Sequence, residues 1–172
     1  SAIGDGIKVF GKASIGAAAD FEQTMSLVQA NSNASSKEME KLNQLAKQLG
    51  ADTKFSAGEA AGAILELSKA GITPAQIEAG ALKATMDLAA ASGMNLGDAA
   101  NVTANALNTF HMDASEAVRV ADALAGAANA SSADVSDLAQ GLAQVGPVAA
   151  QMGLDINDTA GALAMFSQNG MK

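Results

Sequence analysis

Residues 71–76 read Gly71-Ile72-Thr73-Pro74-Ala75-Gln76, and this phrase decides the fold. Glycine just past a helix takes the left-handed conformation that closes it, because it carries no Cβ to clash. The apolar residue that follows can pack back on the helix just ended. Thr73 then caps the next helix by accepting from its free N–H groups, with Gln76 placed three residues on to complete a capping box. Pro74 stands at the first helical position, where its missing N–H costs nothing. The same stop-and-start recurs as Gly93-Met94-Asn95 with Asp98 and as Gly153-Leu154-Asp155 with Asp158. It recurs without the glycine as His111-Met112-Asp113 with Glu116.

Between these junctions apolar residues recur at helical spacing. A first helix carries Ile3, Ile7, Phe10, Ala17, Phe21, Met25 and Val28 up to a polar break at Asn31-Ser32-Asn33. Ser35 with Glu38 opens a second, whose stripe is Met39, Leu42, Ala46 and Leu49 and which Gly50 is expected to end. Ser56 with Glu59 opens a third, inward through Ala60, Ile64 and Leu67. The fourth buries Ile77, Ala81, Ala84 and Leu88, and the fifth Leu96, Ala100, Leu107 and Phe110. The sixth packs Ala117, Ala121, Leu124 and Ala128 and frays at 129–132.

The seventh runs Val135, Leu138, Leu142, Val145, Ala149 and Met152, with a kink or break expected at Gly146-Pro147. The last carries Ile156, Ala160, Leu163 and Phe166 inward toward Gly170. No stretch alternates as a strand does. The reading is an all-α chain, a compact array of about eight short Ala-rich helices. Residues 1–34 form an N-terminal helix that extends from the body or packs on a partner, and 35–172 form the helical domain.

Composition narrows the function. The 172 residues are 49% hydrophobic but only 3% aromatic, and alanine makes up about a quarter. Small residues favour helix and close axial approach but give little apolar volume, so modest stability is expected unless partners cover more surface. A net charge of −8 leaves no basic patch to displace counterions from phosphate, so direct nucleic-acid binding is not expected. With no cysteine there is neither a disulfide framework nor a thiolate metal site. The uncharged run from Leu138 to Leu154 is broken by Gln140, Gly141, Gln144, Gly146, Pro147 and Gln151, unlike the ~20 apolar residues of a span. Lys8 and Lys12 alternate with glycine and acids, which is not the pattern of a secretory leader. The start at Ser1 and stop at Met171-Lys172 suggest a piece of a longer protein.

Candidate chemistry is sparse. His111 is the one histidine, and no Ser or Cys nucleophile stands in a motif around it. Its plain reading is a residue filling a junction position usually held by glycine. Asp134 and Asp137, and Asp155 and Asp158, lie one turn apart, but first-turn acids serve the helix dipole, and oxygen-ligand metal sites need more converging carboxylates. Gly58-Glu59-Ala60-Ala61-Gly62 follows no strand and lacks the Lys and Ser/Thr of a phosphate loop. Gly58, Gly62 and Gly80 are expected to permit close helix contacts. Methionines 86, 94, 112, 152, 165 and 171 could form an adaptable surface but are expected mainly in the core. No catalytic, cofactor or metal residue is expected, and no enzyme.

The run from Asp52 to Lys172 resembles the N-terminal conserved region of phage tail tape measure proteins. The resemblance rests on Thr53-Lys54-Phe55-Ser56 before Glu59-Ala60-Ala61, then Leu67-Ser68-Lys69-Ala70-Gly71 and Leu88-Ala89-Ala90-Ala91. It continues through Phe110, Val120-Ala121-Asp122-Ala123-Leu124-Ala125, Val148-Ala149-Ala150-Gln151-Met152-Gly153 and Gly161-Ala162-Leu163-Ala164. It implies a structural virion protein of the tail tube lumen or tail tip, present in the host cytoplasm during assembly. Such a protein acts in tail-length determination and, on infection, in genome delivery. Implied partners are further copies of itself, tail tube and tail tip proteins, assembly chaperones and, at ejection, the host envelope. The contrasting reading from the residues is a membrane-active amphipathic protein, a pore former or lipid binder. Against it, the polar faces lack the Lys and Arg that favour anionic lipid.

Overall fold

A computed structural model describes the backbone of residues 2–170 and the side chains of 15–170. Among the described residues there are eight helices and no strand. They are α1 (Ala2–Ser32), α2 (Ser36–Asp52), α3 (Ala57–Lys69), α4 (74–92), α5 (Leu96–Thr109), α6 (114–129), α7 (Val135–Gln151) and α8 (Ile156–Gln168). α4 is one helix with a five-residue wide turn at Ile77–Ala81, and α6 begins with a tight 3-10 turn, Ala114–Glu116.

The junctions form as their hydrogen-bond accounting requires. Gly71, Gly93, Gly153 and His111 all take positive φ, at 89°, 74°, 82° and 52°. After Gly71, the Ile72 N–H reaches Leu67 O at 3.0 Å and the Gly71 N–H reaches Ser68 O at 3.0 Å, the Schellman closure. His111-Met112 and Gly153-Leu154 repeat it. At Gly93 the following N–H, on Met94, goes instead to the Ser92 hydroxyl, which itself donates to Leu88 O. Asn33, at φ 51°, does the same between Ser32 and Ala34, so the polar break after α1 is a further junction of this kind.

The junctions set up a regular stack. The caps Ser56, Asn95 and Asp134 start α3, α5 and α7 and lie ~40 residues apart, as do Ser35, Thr73, Asp113 and Asp155 at the starts of α2, α4, α6 and α8. The helices therefore form four pairs: α1–α2, α3–α4, α5–α6 and α7–α8. Odd helices pack on odd (α1 on α3, α3 on α5, α5 on α7), even on even (α2 on α4, α4 on α6, α6 on α8), and each pair adheres to the adjoining pairs. Hydrogen bonds cross from one pair to the next at matching places: Asn108 Nδ2 to Ala70 O, Gln76 Nε2 to Asp113 Oδ2, and Gln168 Nε2 to Ala130 O. This is the one-dimensional logic of a helical solenoid. One apolar core runs its length, from Phe21, Met25 and Val28 through Leu42, Ile64, Leu67, Leu88, Leu107 and Leu124 to Leu138 and Ile156.

Several expectations are corrected. α2 does not end at Gly50 but continues to Asp52. A Cβ at Gly50 would lie 2.5 Å from Ala57 N, so glycine is there to let α3 start against α2. Gly146-Pro147 produces no break, and α7 keeps helical backbone through it. Gly146 is buried where a Cβ would meet Thr109 Cγ2 at 2.9 Å, so it serves the approach of α5. The distortion lies in α4 instead, where Gly80 takes φ 138° inside the wide turn.

Gly58, Gly62 and Gly80 are not contact glycines. A Cβ at Gly62 or Gly80 would meet nothing within 4 Å, and one at Gly58 only the Ser56 hydroxyl at 3.8 Å. The inward stripes of α7 and α8 also differ, since Val145, Met152 and Phe166 are exposed. The side chains of Ile3, Ile7, Phe10 and Met171 lie outside the described residues.

Candidate functional site

The polar residues singled out in the sequence are mostly engaged in local capping. Asp134 Oδ1 accepts from Asp137 N–H at 2.7 Å, and Asp155 Oδ1 from Asp158 N–H at 2.9 Å. Neither acid pair converges with a further ligand, and no cluster of three His, Asp or Glu suited to a metal occurs among the described residues. In the glycine-flanked segment at the start of α3, Glu59 turns back to accept from Ser56 N–H at 2.8 Å. The carboxylate thereby occupies the helix N-terminus that a phosphate would need.

Three carboxylates register these caps electrostatically. Glu38 is held below its ordinary value by the Ser35 hydroxyl and then the Ser35 N–H. Glu59 is lowered by the Ser56 N–H and then its hydroxyl. Asp113 is lowered chiefly by hydrogen bonding from Ser115.

His111 is exposed in its left-handed position, as the junction pattern requires. The tertiary fold brings it to a shallow depression of about 340 Å³ where the α5–α6 and α7–α8 junctions meet, lined also by Glu116, Arg119 and Asp155. Arg119 contacts Glu116 Oε1 at 2.5 Å and Asp155 Oδ2 at 3.7 Å, tying the two junctions with one guanidinium. No local pattern marks this bridge, because Arg119 and Asp155 are far apart along the chain. The group holds an acid, a base and a cation but no nucleophile. Exposed ion pairs of this kind contribute about 0–1 kcal/mol, so it serves as a clamp of modest strength.

Two larger features are surfaces. A broad trough of about 1120 Å³ lies between α1, α2 and the start of α3, with Phe21 and Met39 at its floor and Lys47 set 5.5 Å over the Phe21 ring. The second is the outer side of α7–α8. The methionines divide accordingly. Met86 is buried and Met94 and Met112 pack against the core, whereas Met152 and Met165 are 74% and 66% exposed. No helix among the described residues is long and apolar enough to cross a membrane.

Comparison with known proteins places this architecture. Residues 43–172 match the family model described as phage-related minor tail protein. The chain is 37% identical over 163 residues, 95% of its length, to a tape measure protein of Pneumococcus phage Dp-1, of which it spans 14%. It is 31% identical over 125 residues, 73% of its length, to a probable tape measure protein of Escherichia phage P2, of which it spans 15%. No solved structure matches. With three-quarters of its residues inside the family model and an all-α fold of eight helices, the chain belongs to the phage tail tape measure (minor tail) protein family.

Proposed function

We propose that this chain is a structural, non-catalytic domain of a tape measure protein, acting in tail assembly and tail-length determination and in delivery of the genome on infection. The observation that carries the reading is the similarity to tape measure proteins over 95% and 73% of the chain. The physical character agrees with it. The candidate acids cap helices, and the largest features are surfaces rather than an enclosed pocket. A net charge of −8 suits a path along which DNA moves without sticking.

A domain of this size is not itself the ruler, since its helices are folded against one another and each residue advances only about 1.5 Å along a helix. It acts instead as an assembly module within the tail tube lumen or the tail tip. Residues 35–172 form its conserved body, and the C-terminal half of α1 joins that body by burying Phe21, Met25 and Val28. Partners in this reading are further copies of the chain, tube and tip proteins and assembly chaperones.

The test is an in-frame deletion of codons 43–172 in the phage or prophage that carries the gene, read by electron microscopy of lysates. Heads without tails are expected. Infective particles with tails of normal length would overturn the proposal.

A further inference from the structure

The two ends of the stack differ in chemistry. At the α1–α2 end the described outward residues are mainly polar, among them Asp20, Glu22 and Gln23 on α1 and Lys37, Glu40 and Lys47 on α2. At the α7–α8 end, Val145, Val148, Met152, Leu154, Met165 and Phe166 are 43–74% exposed. These six lie on the last helix pair and its junction, while only three other large apolar residues are exposed among the described residues: Ile15, Leu27 and Val118. Gly141, Val145, Val148 and Met152 share one side of α7 by their spacing. With Leu163 and Phe166 of α8, the first two of these line a groove of about 510 Å³ between the helices.

In a helical solenoid a terminal repeat meets water through a polar outer face, whereas an interior repeat is apolar on both faces. By that criterion the described face of α1–α2 is that of an end and the face of α7–α8 is that of an interior pair. The backbone agrees. Gly170 has φ 78° and its N–H bonds to Ser167 O at 3.1 Å, matching the glycine or histidine bond of the closures before α4, α6 and α8. At each of those junctions the next helix turns back and packs on elements already laid down.

We infer that the apolar face of α7–α8 is a stacking surface for a further helical hairpin of the same polypeptide, formed by residues that follow Gly170 in the parent protein. Its first helix lies along the groove bounded by Val145 and Phe166, as α7 lies on α5. The family relatives are long enough for this, since the chain spans only 14% and 15% of them. A second copy is the less suitable occupant. Residues 120–170 carry five aspartates and no Lys or Arg, so two such faces would meet with like charge. Among the described residues the α1–α2 end offers only Ile15 and Leu27, twelve positions apart, and no matching stripe. The inference rests on the tape measure reading only for the existence of that longer polypeptide.

The chain has no cysteine, which permits a direct test. Val148→Cys and, as control, Gln23→Cys are made in the 172-residue protein and in the same protein extended by about 45 parent residues, roughly one repeat. Maleimide labelling is followed on each. Extension is expected to slow labelling at 148 by at least ~10-fold and to leave position 23 unchanged. Phe166→Glu should lower the melting temperature of the extended protein more than that of the shorter one.

Equal labelling at 148 in both lengths would overturn the inference. So would a concentration-dependent dimer of the 172-residue protein that itself protects Val148→Cys, because a second copy would then be the occupant. Labelling needs no tail function, so its failure is distinguishable from failure of the tail-assembly reading, which the deletion phenotype reports.

Discussion

The junctions predict that one substitution, Gly→Ala, has opposite signs at positions that differ only in φ. A Cβ added at Gly71, Gly93 or Gly153 would meet nothing within 4 Å, so no steric clash contributes. What remains is the backbone. Holding an L-residue in the left-handed region costs about 1–2 kcal/mol. Reducing the freedom of the unfolded chain returns about 0.4–1 kcal/mol. The net expectation is a loss of about 1 kcal/mol at each site, or about 2–4 °C in melting temperature for a chain of this size.

Gly62 is the internal control, since its added Cβ also meets nothing within 4 Å but the residue is inside α3. There alanine should stabilise by about 0.5–1 kcal/mol through helix propensity. His111→Gly reverses the first experiment and should stabilise by a similar amount, because φ 52° is strained for histidine and free for glycine. Thermal and urea unfolding of the five single variants, followed by circular dichroism, would measure this. The reasoning is refuted if Gly62→Ala and Gly93→Ala shift stability in the same direction, or if His111→Gly destabilises.

Other consequences are equally direct. Gly50→Ala places a methyl 2.5 Å from a backbone nitrogen that cannot swing aside, so it should destabilise by about 1–3 kcal/mol in the same unfolding assay. Thr103 Oγ1 is fully buried without a hydrogen-bond partner, so Thr103→Val should raise stability by about 1 kcal/mol in urea titrations. Glu59 has a folded pKa below its ordinary 4.5, so its charged contribution is present above that value and disappears as pH falls through the lowered folded value. The stability difference between wild type and Glu59→Gln should accordingly hold from neutral pH down to about 4.5 and shrink as pH falls further, measured by denaturant midpoints across a pH series.

Much of the fold was legible because helix ends are decided locally. A cap, its box partner and the left-handed residue before it all lie within a few positions, and their hydrogen bonds close without help from the rest of the molecule. Ser35, Ser56, Thr73, Asn95, Asp113, Asp134 and Asp155 accordingly cap the helices they precede. The plain reading of His111 as a glycine substitute rested on the same local logic. Asn33 carries no glycine signal, because its junction is completed by the Ser32 hydroxyl. The ~40-residue period was also present in the spacing of the caps, but two interleaved series of junctions obscure it.

What lay beyond the sequence is everything that depends on which helix comes alongside. Gly50, Gly146 and Gly62 look alike along the chain, yet the first two are pressed by Ala57 and Thr109 and the third faces open space. Helical spacing places Val145, Met152 and Phe166 on apolar stripes, but a stripe is buried only where another helix covers it, and none among the described residues covers these. Arg119 meets Asp155 only because even-numbered helices stack on one another. The sequence by itself therefore determined where the helices start and, α2 excepted, where they stop, through hydrogen bonds among near neighbours. The tertiary structure alone decided the stack, its polar end and its apolar end, because burial is a property of long-range packing that no local pattern contains.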